Sequence, residues 1–197
     1  MIEAATENAE IKLRIMKQVS DVAEPNALIA TNTSSISITQ LAACVANPQR
    51  FIGLHFFNPV PVMQLVEVIC GLQTSDQSHA RALEFIKVIG KTPITAMNRP
   101  GFAVNRILCP MINEAIFTLQ EGIATTDEID IGMKLGCNHP IGPLALADLI
   151  GLDTLLAVMN MFYEGFNDSK YRPPALLKEM VDAGYLGRKS GRGFYSY

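Results

Sequence analysis

Apolar residues in the first half of the chain follow two different patterns of spacing. Apolar residues between Glu10 and Val22 recur every three or four positions, which predicts an amphipathic helix. Short apolar runs bounded by turn residues predict buried strands. The predicted strands are Ala27–Thr31, Phe51–Phe57, Gln64–Cys70 and Pro93–Ala96, with the end of another at Met1–Ala5, and two more helices run from the Ser37 cap to Val45 and over Ser78–Ile89. Such alternation is typical of an α/β sheet.

The pattern changes near Met97–Asn98, where strands give way to helices. Pro110 lies inside the first helical segment, so we expect a kink or a break there. The predicted helices are Phe102–Leu119, a helix opened by the Thr125–Glu128 capping box and ended by Gly136, then Leu144–Phe166 and Pro174–Ala183. The sequence therefore predicts an α/β domain over residues 1–97 and an all-α domain over residues 98–197.

Composition indicates a globular protein. Of 197 residues, 49% are hydrophobic and 18% are charged, and the net charge is -3. This balance excludes a basic stripe for nucleic acid, and the apolar runs are far shorter than the roughly 20 residues of a membrane span. The first residues lack the order of a signal peptide. The four cysteines form no CxxC pair, which argues against a disulfide scaffold and a zinc site. We expect a cytoplasmic protein with no metal, membrane or nucleic-acid partner.

The strongest chemical candidates are His55 and Glu67. His55 lies in a predicted strand that ends at a proline-rich turn, and Glu67 lies in the middle of the next predicted strand. They lie 12 positions apart around a proline-rich turn at residues 58–62. If the two strands are antiparallel, the imidazole and the carboxylate face each other. A carboxylate in that place fixes the tautomer of an imidazole and makes it a better general base. The spacing alone also allows a structural histidine with a local partner and a Glu67 on a solvated sheet face.

Three polar residues are candidate ligand contacts. Asn32 and Ser34 follow a predicted buried strand, where open α/β sheets bind ligands, although turn and cap chemistry explains them equally well. Asn105 lies in an apolar helical segment, where its amide can serve a ligand or tie two elements together. By pattern alone, three charged residues are predicted to lie on the surface: Glu7, Lys12 and Lys189.

Four ordered motifs resemble the 3-hydroxyacyl-CoA dehydrogenase family. They are ATNTSS at residues 30–35, GLHFFNPVPVM at 53–63, LVEVI at 65–69 and PGFAVNR at 100–106. The similarity continues through HPIGP at 139–143 and GRKSGRGFY at 187–195. The resemblance implies a partial Rossmann domain followed by a helical domain that forms a homodimer. It also implies NAD-dependent oxidation of a (3S)-3-hydroxyacyl-CoA, such as 3-hydroxybutyryl-CoA, in fatty acid or butanoate metabolism.

The resemblance also implies roles for individual residues. His55 becomes the base that takes the hydroxyl proton, and Glu67 orients it. Ser34 and Asn105 match positions that hold the substrate oxygen and its surroundings. The positions that match the cofactor side are Glu7, Lys12, Asn32, Ser34, Asn58 and Lys189.

One motif of nucleotide-binding sheets is absent from the chain. No G-x-G-x-x-G follows a predicted strand, and the family's glycine-rich first βαβ unit would lie before Met1. We therefore expect the catalytic residues to be present and most of the pyrophosphate cradle to be missing. The alternative is a catalytically incomplete fragment, or a structural or binding protein that keeps the dimer half of the fold.

Overall fold

The computed structural model describes all 197 residues, which form two compact units, Met1–Ala103 and Val104–Tyr197. The division falls a few residues after the predicted boundary at Met97–Asn98. The first unit contains five strands and three α-helices: β1 (Ile2–Glu3), α1 (Ala9–Val22), β2 (Ile29–Thr31), α2 (Ile38–Ala42), β3 (Phe51–Phe56), β4 (Leu65–Cys70), α3 (Asp76–Val88) and β5 (Thr92–Met97). The predicted α/β fold is thus confirmed.

The five strands form one sheet in the order β1-β2-β3-β4-β5. The pairs β1–β2, β2–β3 and β4–β5 are parallel, whereas β3 and β4 are antiparallel. Successive strand residues point to opposite faces. Phe51 packs with Met16 of α1 on one face, and its neighbour Ile52 packs with Ile86 of α3 on the other. Both faces are therefore buried, which explains why the strands read as nearly continuous apolar runs.

Short polar side chains begin the helices of this unit. Asn8 accepts a hydrogen bond from the Ile11 N–H at the start of α1, and Ser37 accepts one from Gln40 at the start of α2, as its sequence predicts. Close packing of α2 on the sheet requires Gly53, because a Cβ there would lie 2.6 Å from the Cδ1 of Ile38.

The second unit is helical, as predicted. It contains α4 (Val104–Gln120), α5 (Thr126–Gly136), α6 (Pro143–Ile150), α7 (Leu152–Phe166) and α8 (Ala175–Asp182). The Thr125–Glu128 capping box is present at the start of α5. The core is built around Ile112, Leu144 and Phe162. None of these helices is individually long and apolar enough to cross a membrane; α6 and α7 reach that length together, but they are bent by 97° at their junction.

Two helix predictions in this unit need correction. The segment Leu144–Phe166 is two helices, because Gly151 has a φ of 101° that ends α6 before α7 begins. Of the kink or break expected at Pro110, the break is wrong, since α4 continues through this residue. Proline removes one helical hydrogen bond there, while the flanking Cys109 and Ile112 are buried in the core and hold the segment in place.

A buried carboxylate fastens the C-terminal segment to α6. Asp148 is buried, and its two oxygens accept hydrogen bonds from the N–H groups of Phe194 (3.0 Å) and Tyr195 (2.9 Å). Gly193 lies so close that a Cβ would be 1.9 Å from the Oδ1 of Asp148. The final residues are therefore an integral part of the helical unit.

Candidate active site

His55 and Glu67 face each other across the antiparallel pair of β3 and β4. The two residues are direct partners in the strand register, as predicted, and His55 Nδ1 lies 2.7 Å from Glu67 Oε2. Both residues are buried, and Glu67 is 0% exposed. The alternative that placed Glu67 on a solvated sheet face is therefore wrong.

The surroundings of this pair fix its orientation. Glu67 accepts a second hydrogen bond at Oε1 from the Ala103 N–H, at 2.9 Å. The imidazole of His55 packs against the rings of Phe57 and Phe102, with centroids 4.5 Å and 5.7 Å away. When Glu67 is ionised, its carboxylate can accept but not donate, and this hydrogen bond then requires the proton on Nδ1. The remaining ring nitrogen, Nε2, is then the acceptor available to a ligand.

A buried ion pair lies at the end of β2. Lys12 is 0% exposed, and its Nζ donates to Glu3 Oε2 at 2.7 Å and to the Asn32 carbonyl at 2.9 Å. Glu3 also accepts from the hydroxyl of Thr31 at 2.6 Å. The prediction that Lys12 lies on the surface is therefore wrong: its partner Glu3 comes from a neighbouring strand that the helical pattern does not reveal.

The side chain of Asn32 links the ends of two strands. Its Oδ1 accepts a hydrogen bond from the Phe56 N–H at 3.1 Å. Phe56 follows His55 directly in β3. Through this bond and the one from Lys12, the carboxyl end of β2 is fastened beside the catalytic candidate.

Glu7 holds the loop that carries Ser34. Its Oε1 accepts hydrogen bonds from Thr33 Oγ1 (2.6 Å) and from the N–H groups of Ser34 and Ser35 (both 2.9 Å). The serine hydroxyls add two more, at 3.2 Å from Ser34 and 2.8 Å from Ser35. Burial opposes the ionisation of Glu7, but the hydrogen bonds from Thr33, Ser35 and Ser34 outweigh it and lower the pKa of the carboxyl.

Three predicted site residues lie outside these clusters. Asn58 is exposed in the turn after β3, and Lys91 holds that turn by donating to the carbonyls of Val60 and Met63. Asn105 lies half-buried in the first turn of α4, in the helical unit. Lys189 lies in the same unit and is exposed, as predicted, with its Nζ 2.7 Å from Asp153 Oδ2.

Sequence reasoning missed Glu3 and the Ala103 N–H, which complete the two clusters of the first unit. A signal existed for Glu3, because an acidic residue inside a predicted strand requires a partner. No pattern of side chains in the sequence could predict the hydrogen bond from the Ala103 N–H, because its donor is a main-chain group.

Comparison with known proteins gives consistent results for both units. The family model for the 3-hydroxyacyl-CoA dehydrogenase NAD binding domain matches residues 1–99, and that for the C-terminal domain matches residues 101–197. The 3-hydroxybutyryl-CoA dehydrogenase of Bradyrhizobium diazoefficiens is 53% identical over 197 residues, which are all of this chain and 67% of that protein. The protein of that name from Clostridioides difficile is 51% identical, with 70% of its length covered.

A solved structure is also similar throughout. The crystal structure of (S)-3-hydroxybutyryl-CoA dehydrogenase from Ralstonia eutropha matches with a TM-score of 0.98 and 65% sequence identity. The match covers all of this chain and 69% of that one.

Proposed function

The chain belongs to the 3-hydroxyacyl-CoA dehydrogenase family, and on that basis we propose that it oxidises (3S)-3-hydroxyacyl-CoA to 3-oxoacyl-CoA with NAD. The observation that carries this proposal is the buried contact of 2.7 Å between His55 Nδ1 and Glu67 Oε2. The substrate we propose is 3-hydroxybutyryl-CoA, since relatives that are 53% and 51% identical to this chain over its 197 residues bear the name of that dehydrogenase.

His55 acts as the general base in this proposal. Nε2 takes the proton of the 3-hydroxyl group, while Nδ1 keeps its own proton in the hydrogen bond to Glu67. The imidazolium that forms is stabilised by the carboxylate beside it. Because Glu67 is also held by the Ala103 N–H, the imidazole needs little reorientation before proton transfer. When bound, NAD supplies the acceptor for the hydride that leaves C3 of the substrate.

The donors and acceptors at the ends of β1 and β2 fit the nicotinamide half of the cofactor. They include an ionised carboxylate at Glu7, the hydroxyl of Ser34 and the amide of Asn32, at the sheet edge where α/β proteins bind nucleotides. Lys12 serves this side indirectly, because it is fully buried and positions the Asn32 carbonyl. We assign the two exposed residues, Asn58 and Lys189, to the cofactor side as well, on the strength of the motif match.

Ser34 and Asn105 are the proposed contacts to the substrate oxygen. Both are half-buried polar residues inside motifs that match the family. The acyl-CoA and NAD are the partners we propose, in fatty acid or butanoate metabolism in the cytoplasm, with no nucleic acid and no membrane.

We also propose that the helical unit forms a homodimer. An apolar groove of about 480 Å³ lies between α4 and α5, lined by Met111, Ala115, Ile129 and Met133 among others. Ile107 and other large apolar side chains of these helices are exposed. An apolar surface of this kind supports an interface with a second copy.

The test is the consumption of NADH with acetoacetyl-CoA by the purified chain of this length. His55→Ala should lower the rate by about 10²–10⁴-fold, because it removes the general base. His79→Ala is the matched control: His79 lies on α3 and bonds to Thr95, so its loss should leave the rate unchanged. Equal rates for His55→Ala and wild type would refute the assigned base. A folded wild-type chain with no turnover would refute activity at this length.

A further inference from the structure

We propose that Glu7 is a positioning residue for Ser34: its carboxylate gathers the loop at residues 33–35 and leaves the Ser34 hydroxyl free to turn to a ligand. This inference rests on the proposed function, in which Ser34 contacts the substrate oxygen. It assigns to Glu7 a role beyond contact with the cofactor.

One oxygen atom connects three consecutive residues of this loop. Glu7 lies between β1 and α1, whereas the loop joins β2 to α2. The N–H groups of Ser34 and Ser35 both donate to Glu7 Oε1, and neither donates to a main-chain carbonyl. The loop has no regular structure of its own. The Ser34 N–H therefore has Glu7 as its acceptor, whereas the Ser35 N–H also donates to Thr33 Oγ1 at the longer distance of 3.3 Å.

The hydrogen bonds from the hydroxyl groups to Glu7 differ in length, whereas the two from the main chain are equal. Thr33 and Ser35 donate to Glu7 at 2.6 Å and 2.8 Å, whereas the hydroxyl of Ser34 lies 3.2 Å away and is the longest of the five bonds. Longer hydrogen bonds are weaker. Rotation of the Ser34 side chain breaks this weakest bond and leaves four others to hold the loop. The Ser34 hydroxyl can therefore donate a hydrogen bond to a substrate oxygen without movement of the main chain.

The two carboxylate oxygens divide the possible roles of Glu7. All five bonds to the loop end on Oε1, and no protein group donates to Oε2. Oε2 is therefore the oxygen that remains for the proposed contact with the cofactor. Positioning of the loop and contact with the cofactor therefore need separate measurements.

The first measurement is amide hydrogen exchange in the cofactor-free chain, at Ser34 and Ser35. Glu7→Ala should speed exchange at Ser34 by about 10-fold or more, because the acceptor of its amide is lost, and at Ser35 by less, because Thr33 Oγ1 remains as an acceptor. Glu7→Gln keeps an acceptor oxygen and should give a smaller increase. Glu10→Ala is the matched control, since Glu10 is exposed on the first turn of α1 and makes no bond to the loop. Unchanged exchange in Glu7→Ala would overturn the proposal.

The second measurement is a double-mutant cycle on kcat with Glu7→Ala and Ser34→Ala. If Glu7 acts through Ser34, Glu7→Ala should lower kcat by about 10-fold, and the double variant should be no slower than Ser34→Ala alone. Losses that multiply would contradict the inference and assign Glu7 to the cofactor alone. Because the exchange experiment needs neither cofactor nor turnover, it decides the positioning role even if the proposed dehydrogenase activity fails.

Discussion

Replacement of Lys12 by methionine tests the buried ion pair that fastens β1 to the end of β2. Methionine keeps most of the length of the lysine side chain and removes its charge and its hydrogen bonds. Glu3 is then left buried without its cationic partner, and the Asn32 carbonyl loses a donor. The expected result is destabilisation of the first unit.

The structure sets the magnitude of this loss. Breaking a buried ion pair by removing one partner costs about 3–5 kcal/mol. The lower end applies here, because Glu3 keeps hydrogen bonds from the Thr31 hydroxyl and the Ala5 N–H, at 2.6 Å and 2.7 Å. A loss of about 3 kcal/mol at a urea m-value of about 1.5–2 kcal/mol/M lowers the midpoint by about 1.5–2 M.

The distribution of tyrosines provides an internal control for this assay. The chain has no tryptophan, and all five tyrosines lie in the helical unit (Tyr163, Tyr171, Tyr185, Tyr195 and Tyr197). Urea unfolding is followed by amide exchange in β2 and β3 for the first unit and by tyrosine fluorescence for the second. The variant Lys12→Met should lower the stability of the strands and change the tyrosine transition much less.

The pH dependence of the stability lost in Lys12→Met provides a second test of the ion pair. Burial opposes ionisation of Glu3, but hydrogen bonds from Lys12, Thr31 and Ala5 outweigh it and lower the pKa below 4.5. These bonds therefore stabilise the fold above pH 4.5, and their contribution is lost as the pH falls through the lowered pKa. The gap between wild type and Lys12→Met should narrow in acid. Equal stability of the two proteins at neutral pH would contradict a stabilising role of the Lys12–Glu3 ion pair.

Two further predictions concern the helical unit. Gly193→Ala should destabilise it by about 1–3 kcal/mol, seen in the tyrosine transition, because the new Cβ overlaps the carboxylate of Asp148. The control is Gly132→Ala, in open space on α5, and equal midpoints for the two variants would contradict the overlap. Burial raises the pKa of Cys109 to about 12, so this thiol should resist a disulfide reagent at about pH 8 until the chain unfolds, while the exposed Cys137 reacts. Fast modification of Cys109 in the folded protein would contradict this.

The pairing of His55 with Glu67 could be predicted from sequence because two local features agree. The strands on either side of the turn have similar lengths, and the turn is rich in proline, so the register follows from the midpoint. The bond from Ala103 could not be predicted in this way. It joins a side chain to a main-chain group 36 positions away, and hydrophobic patterning reports no such pair.

The face of α1 shows where patterning fails. Its apolar spacing predicts a buried stripe that includes Ile11 and Val22, yet both are exposed, and the fully buried residues are Lys12 and Met16. A rule that places charges outside cannot find a lysine whose partner, Glu3, lies on a neighbouring strand. The division between α6 and α7 was missed for a related reason: a glycine inside an apolar run does not reveal that its φ is positive.

The carboxylate of Glu67 couples proton transfer at His55 to the anchoring of the main chain at Ala103. One oxygen faces the imidazole and the other receives the Ala103 N–H, so a change in the charge of the group alters both bonds together. This coupling is reciprocal. Displacement of Ala103 changes the free energy of protonation of His55, and protonation of His55 changes the free energy of the Ala103 hydrogen bond by the same amount. The residue that ends the first unit is thus energetically linked to the base, although it contributes no side chain to the chemistry.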